Sequence, residues 1–175
     1  MTIKLSIMLF KKLLFLFVFI SFSTPVLSCN CVGGRTVQEA VEFNDGILTG
    51  TVISKSYVTV SDSMILRTFH FDSIMIRKAS QVLIARYQVL VHDSFKGDFT
   101  KDTILVYSGI GTIDCGSRLK VGEKYIIYGK NRTYFNESKN GFYFPKGPNI
   151  LWTYRCLRTT LYDSKELHEI NRFLN

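Results

Sequence analysis

Four cysteines define the scaffold: Cys29 and Cys31 form a C-x-C pair, and Cys115 and Cys156 stand alone far downstream. An even cysteine count in an exported chain reads as a disulfide framework. Bridging Cys29 to Cys31 would close a tiny strained ring, so each is expected to reach a distant partner, which leaves two long-range pairings open. In an extended strand the two side chains point to one side, roughly 7 Å apart. Two bridges from that side would clamp the segment flat against the domain, each contributing about 4 kcal/mol in the chain-entropy account. Zinc is the competing use of cysteine. The chain lacks a pair of C-x-x-C knuckles, and C-x-C with isolated cysteines is poor zinc spacing, so disulfides are preferred.

That preference requires an oxidising compartment, and the first 28 residues supply the route to one. Lys4, Lys11 and Lys12 precede an apolar run, Leu13 to Phe22, followed by Ser23-Thr24-Pro25-Val26-Leu27-Ser28. A basic segment, a short apolar core and small residues before a boundary make residues 1–28 a secretory signal peptide. Pro25 and the Ser/Thr cluster interrupt the run before it reaches the about 20 residues of a spanning helix. Cleavage after Ser28 leaves Cys29 first in a mature domain, 29–175, that is secreted, extracellular or periplasmic. The alternative is a lipid anchor: Val26-Leu27-Ser28-Cys29 resembles a lipobox, in which the cysteine is acylated and holds the protein on a membrane.

Removing 28 of the 175 residues leaves 147, an ordinary single domain. Loss of the three lysines takes the net charge from +8 to +5. The remaining basic residues are scattered among acids without a run or an aromatic-interleaved patch, so no nucleic-acid partner is expected. The three histidines also lack a catalytic setting. His92 and Asp93 adjoin on a strand and are expected on opposite faces, and His168 lies on a polar helix face. No H-E-x-x-H, G-x-S-x-G or phosphate loop is present, and disulfides would consume every thiol. The reading is a non-enzyme without cofactor or metal of its own.

Periodicity supplies a mainly β fold. Thr36-Val37-Gln38-Glu39 is a capping box that starts a short helix to about Phe43, with Val37, Ala40 and Val41 inward. Asn44-Asp45-Gly46 stops it. Strands are expected over Ile47 to Val60, Val82 to Phe95, Thr103 to Tyr107, Lys124 to Gly129 and Gly141 to Phe144, with a hairpin inserted between Ser61 and Ser80. Lys96-Gly97-Asp98 and Val121-Gly122-Glu123 are turns. Asp163 to Leu174 closes the chain as a helix capped by Asp163 or Ser164, with Leu167, Ile170, Phe173 and Leu174 inward. Ile47, Val52, Val89, Val91, Ile104, Val106, Tyr125 and Ile127 are the expected core. Short strands, glycine-rich turns and a helix at each end describe a closed five-stranded OB-type barrel, disulfide-linked and helix-flanked.

This arrangement resembles the tissue inhibitors of metalloproteinases and the wider netrin-like modules, most closely the short one-domain inhibitor-like proteins of bacteria. The resemblance spans Cys29 to Asn175. It is carried by Cys29-Asn30-Cys31 at the cleavage point, the helix after it, the strand from Gly46 to Ile53 and the long strand through Tyr87 to Lys96. Cys115-Gly116, Leu119-x-x-Gly122-x-x-Tyr125, Cys156 and the last helix complete it.

The resemblance implies the pairing Cys29–Cys115 and Cys31–Cys156. It also implies a secreted, monomeric metalloendopeptidase inhibitor whose partner is a zinc protease. The amine and carbonyl of Cys29 would chelate the catalytic zinc, filling the position such a zinc keeps for water. An α-amine is partly neutral at physiological pH, and metal binding draws on that form. Asn30, Cys31 and Val32 would contact the protease cleft. The alternative function is a non-inhibitory netrin-like binding module, reaching a membrane only if Cys29 is acylated. Several features depart from the family. There are no cysteines for its third bridge in this domain, and no second domain is expected. Asn30 replaces Ser or Thr, and Val32-Gly33-Gly34 replaces a proline-stiffened segment.

Overall fold

The computed structural model describes residues 31, 35–61, 81–111, 114–133, 135 and 144–174. All of them belong to one compact unit, Cys31–Asn175. The signal-peptide residues, Cys29, Asn30, Val32, the insert after Ser61 and the strand expected from Gly141 fall wholly or mostly outside the described residues.

Helix α1, Val37–Phe43, begins as its sequence dictates: Thr36 Oγ1 accepts from Glu39 N at 3.2 Å, and Glu39 Oε2 accepts from Thr36 N at 2.8 Å. Val37, Ala40 and Val41 form its buried face. Then come β1 (Gly46–Ser61), β2 (Gln81–Lys96), β3 (Thr103–Gly109), β4 (Lys124–Gly129) and β5 (Ile150–Trp152). A 3-10 turn over Arg155–Leu157, β6 (Thr160–Leu161) and α2 (Ser164–Leu174) complete the described elements. Asp163 caps α2, its Oδ1 accepting from Lys165 N at 2.9 Å. Among the described residues, no helix is long and apolar enough to cross a membrane.

The six strands form one mixed sheet in the order β5-β3-β2-β1-β4-β6. All pairings are antiparallel except β3 with β5. The β1–β2 pair is irregular. Its register shifts between Ile47 and Leu48, Thr49 and Gly50, and Val52 and Ser54. Each bulge adds twist and bends the ribbon. Gly50 sits at one such point, where a Cβ would lie 2.5 Å from Val89 Cγ1 and 2.7 Å from the Leu90 carbonyl oxygen. Beyond the ladder, Lys130 and Trp152 make an isolated antiparallel bridge, exchanging N–H···O bonds of 2.9 and 2.8 Å between the end of β4 and β5.

The strands alternate around two cores. Leu48, Val52, Tyr87, Val89, Ile104, Val106, Tyr125 and Ile127 pack together on one face. On the other face, Ile47, Ile126 and Tyr128 receive the helices through Val37, Ala40, Val41 and Ile170. Ile47 is thus buried against the helices, because plain alternation puts it on the face opposite Leu48 and Val52. Val91 is only partly buried, packed against that first core. A third cluster stacks Trp152 on Tyr107 at 5.2 Å, with Phe144 edge-on at 5.6 Å. In α2, Ile170 is fully buried, while Leu174 lies exposed at the end of the helix.

A bulge also revises His92 and Asp93. Register passes from Thr49↔Asp93 to Gly50↔Val91, leaving His92 extra. His92 Nε2 then lies 2.8 Å from Thr51 Oγ1, and Asp93 Oδ2 accepts from Thr49 Oγ1 at 2.8 Å. Both therefore reach β1 residues of one face, where strict alternation would have separated them.

Candidate partner-binding site at the disulfide turn

The sulfur of Cys31 is joined to that of Cys156 across 125 residues, with Cα atoms 5.3 Å apart. Cys156 lies within the 3-10 turn, whose next residue, Leu157, is completely buried in the helix-facing core. The bridge therefore ties the cysteine-rich segment to a rigid point. Four residues further on, the Arg35 carbonyl accepts from Arg158 Nη1 at 2.7 Å. Arg158 is held by Glu166, with Nε and Nη2 donating to its two carboxylate oxygens at 2.8 and 3.1 Å. Residues 31 and 35 are thus each attached to the turn, one by the disulfide and the other by a hydrogen bond.

Beside this turn lies the loop that carries Cys115, and an aspartate organises it. Asp114 Oδ2 accepts from Ile110 N at 2.6 Å, and its Oδ1 accepts from Gly111 N at 2.9 Å and Gly116 N at 3.2 Å. A short carboxylate is suited to gathering several local N–H groups in this way. The loop folds tightly enough that Cys115 adopts φ +56°, a left-handed conformation. Gly116 follows against the Gly109 carbonyl, where a Cβ would come within 2.1 Å of the oxygen.

Main-chain bonds lock the loop to the turn. Arg155 N donates to Cys115 O at 3.0 Å, and Gly116 bridges Tyr154. Beneath them Ser108 Oγ accepts from Ser117 N at 2.8 Å and donates to Thr153 O at 2.6 Å. Cys115 is itself disulfide-bonded, and the partner implied for it, Cys29, lies outside the described residues, as do Asn30 and Val32. The structure thus brings together Cys31, Cys115 and Cys156 of the expected site. Asp114, Arg155 and Arg158 were not singled out from sequence. Asp114 carried a usable signal, since Asp-Cys-Gly after Gly-Ile-Gly is turn chemistry.

Among the described residues, no group of three or more His, Cys, Asp or Glu could hold a metal ion. A surface groove of about 490 Å³ is lined by Asp98, Phe99, Asn131, Lys146, Gly147 and Pro148, none of them in the disulfide turn. No protein-family model matches the chain, and no curated protein matches it.

Proposed function

We propose that the protein is a secreted inhibitor of zinc metalloendopeptidases, similar to the tissue inhibitors, that chelates the catalytic zinc through the amine and carbonyl of Cys29. The observation that carries this reading is the Cys31–Cys156 disulfide beside the Cys115 loop. It supports a rigid mount two residues beyond Cys29. With Cys31 and Cys156 joined and Cys115 also bonded, Cys29 is the remaining cysteine of the four for Cys115 to pair with. A chelating amine held by such a mount needs little ordering on binding. Asn30 and Val32 would then lie on either side of the pinned residue and meet the protease cleft.

The fold belonging to this reading is an OB-type closed barrel. Its support is the Lys130–Trp152 bridge, which links the end of β4 to β5 and would return the β5-β3-β2-β1-β4 order upon itself. The disulfide also fits an oxidising compartment, as export through residues 1–28 requires.

The deciding experiment compares the mature protein with a form extended by one alanine before Cys29, each against a panel of zinc endopeptidases. Inhibition by the native form and its loss on extension is the expected result. Equal inhibition by both forms excludes chelation through Cys29. Failure to inhibit any enzyme moves the assignment to a non-inhibitory netrin-like binding module, and an intact mass showing Cys29 acylated makes that module membrane-anchored.

A further inference from the structure

Two arginines converge on the apex of the Cys115 loop. A Cβ built on Gly111 would lie 2.5 Å from Arg118 Cγ and 2.7 Å from its Nε, so the Arg118 side chain runs directly over this glycine. Gly111 is buried and holds φ +82°, and its lack of a Cβ leaves the room that the Arg118 side chain occupies. From the neighbouring turn, Arg155 Nη2 reaches the Gly111 carbonyl at 3.5 Å. Both side chains belong to exposed residues, and neither forms an ion pair among the described residues. The loop's own carboxylate, on Asp114, faces inward to Ile110, Gly111 and Gly116 N–H groups. Glu123 is engaged by Lys120 and Tyr125, and Glu166 by Arg158. Two positive groups therefore share one small rigid platform, adjacent to Cys115.

We propose that Arg118 and Arg155 form a clamp for a carboxylate on an acidic stretch of a protein partner. Guanidinium groups are planar forks that pair with carboxylates through two parallel N–H···O bonds. Their platform is fixed by the Asp114 hydrogen bonds and by the Arg155–Cys115 main-chain bond, so little ordering is needed when a partner arrives. The clamp rests on the protein-docking part of the proposed function and not on zinc chelation.

The test is an amide NMR titration of the mature protein with a hexaglutamate peptide at low ionic strength, with hexaglutamine as control. The Gly111 and Arg155 amides are expected to shift saturably with hexaglutamate only, and high salt should suppress the effect. Arg118→Gln or Arg155→Gln should each weaken binding roughly two- to fivefold, the range of exposed charge pairs. The double variant should remove the Gly111 response while leaving the remaining spectrum in place. Shifts centred on other basic residues, unchanged affinity in the double variant, or an equal response to hexaglutamine would overturn the proposal. The alanine-extended form should titrate like the native one, so loss of zinc chelation and loss of the clamp are read separately.

Discussion

The N–H of Arg155 donates to the carbonyl oxygen of Cys115 across 3.0 Å, joining by main chain the two segments that carry the downstream cysteines. The Cys31–Cys156 bridge is thus built onto a turn that is already anchored. Its loop of 125 residues makes the entropic contribution large, about 5 kcal/mol as an upper figure. Replacing Cys31 and Cys156 by serine should lower the unfolding free energy by about 2–5 kcal/mol, read from urea denaturation. Non-reducing peptide mapping of the native protein should return Cys31 linked to Cys156. A Cys31–Cys115 peptide would refute the arrangement.

Gly116 shows what the tight loop demands. A Cβ there would fall 2.1 Å from the Gly109 oxygen and 2.2 Å from its carbonyl carbon, both backbone atoms with no rotamer to yield. Gly116→Ala should cost about 3 kcal/mol and break the bridge to Tyr154. Gly122 is the natural contrast, with open space around it but φ +86°. Gly122→Ala should cost only about 1–2 kcal/mol, from the left-handed backbone alone. Equal losses in the two variants, measured by chemical denaturation, would contradict the packing argument.

The capping box gives a prediction at acid pH. Glu39's carboxylate is held below its ordinary range, first by accepting from the Thr36 backbone N–H and then by the Thr36 hydroxyl. A carboxylate depressed in the folded state contributes stability above its unfolded pKa, and that contribution is lost as pH falls through the folded value. Thr36→Ala should cost about 1 kcal/mol at neutral pH. Glu39→Gln should flatten the acid limb of the stability profile, measured as urea midpoint against pH. A wild-type acid limb unchanged by Glu39→Gln would argue against the box.

Legibility followed the range of the interactions. The capping box, the Lys124–Gly129 strand and the glycine turns are local, and local chemistry names them. The core on the face away from the helices was legible because Val89, Ile104, Val106, Tyr125 and Ile127 alternate without interruption. Ile47 is core as expected but faces the helices, since its odd separation from Val52 sets the two on opposite sides. His92, by contrast, was misplaced because a bulge leaves no mark on apolar periodicity. β5 and β6 span three and two residues, too few for any period to register, and β5 exists because β3 and Lys130 pair with it. In the candidate site, cysteine spacing pointed to the bridge. Asp114, Arg155 and Arg158 act through backbone groups distant in sequence or within an irregular loop, which composition does not encode.

The last prediction concerns the cluster behind the disulfide turn. Tyr128 Oη donates to Glu166 Oε1 at 2.8 Å, the same oxygen that accepts from Arg158 Nε at 2.8 Å. Arg158 has φ +80°, so its backbone carries strain that its side chain offsets. Arg158→Ala should remove the ion pair and keep the strain, whereas Arg158→Gly removes both. The glycine variant should therefore be the more stable of the two by about 1 kcal/mol. Burial pushes the Tyr128 phenol well above its usual range, and the Glu166 carboxylate that accepts its hydrogen bond adds to the effect. A phenol raised in the folded state contributes stability that is intact below the unfolded value, about 10, and is lost as pH climbs from there toward the folded value. Tyr87 and Tyr125 are raised too, again chiefly by burial. Stability should therefore be insensitive to these phenols at neutral pH and fall steeply above about pH 10. Tyr128→Phe should cost about 1 kcal/mol at neutral pH through the lost hydrogen bond. It should also lessen the alkaline slope without abolishing it, because Tyr87 and Tyr125 remain. Urea midpoints of the two proteins from neutral to alkaline pH decide the matter. Parallel curves would exclude Tyr128 as a source of the alkaline loss.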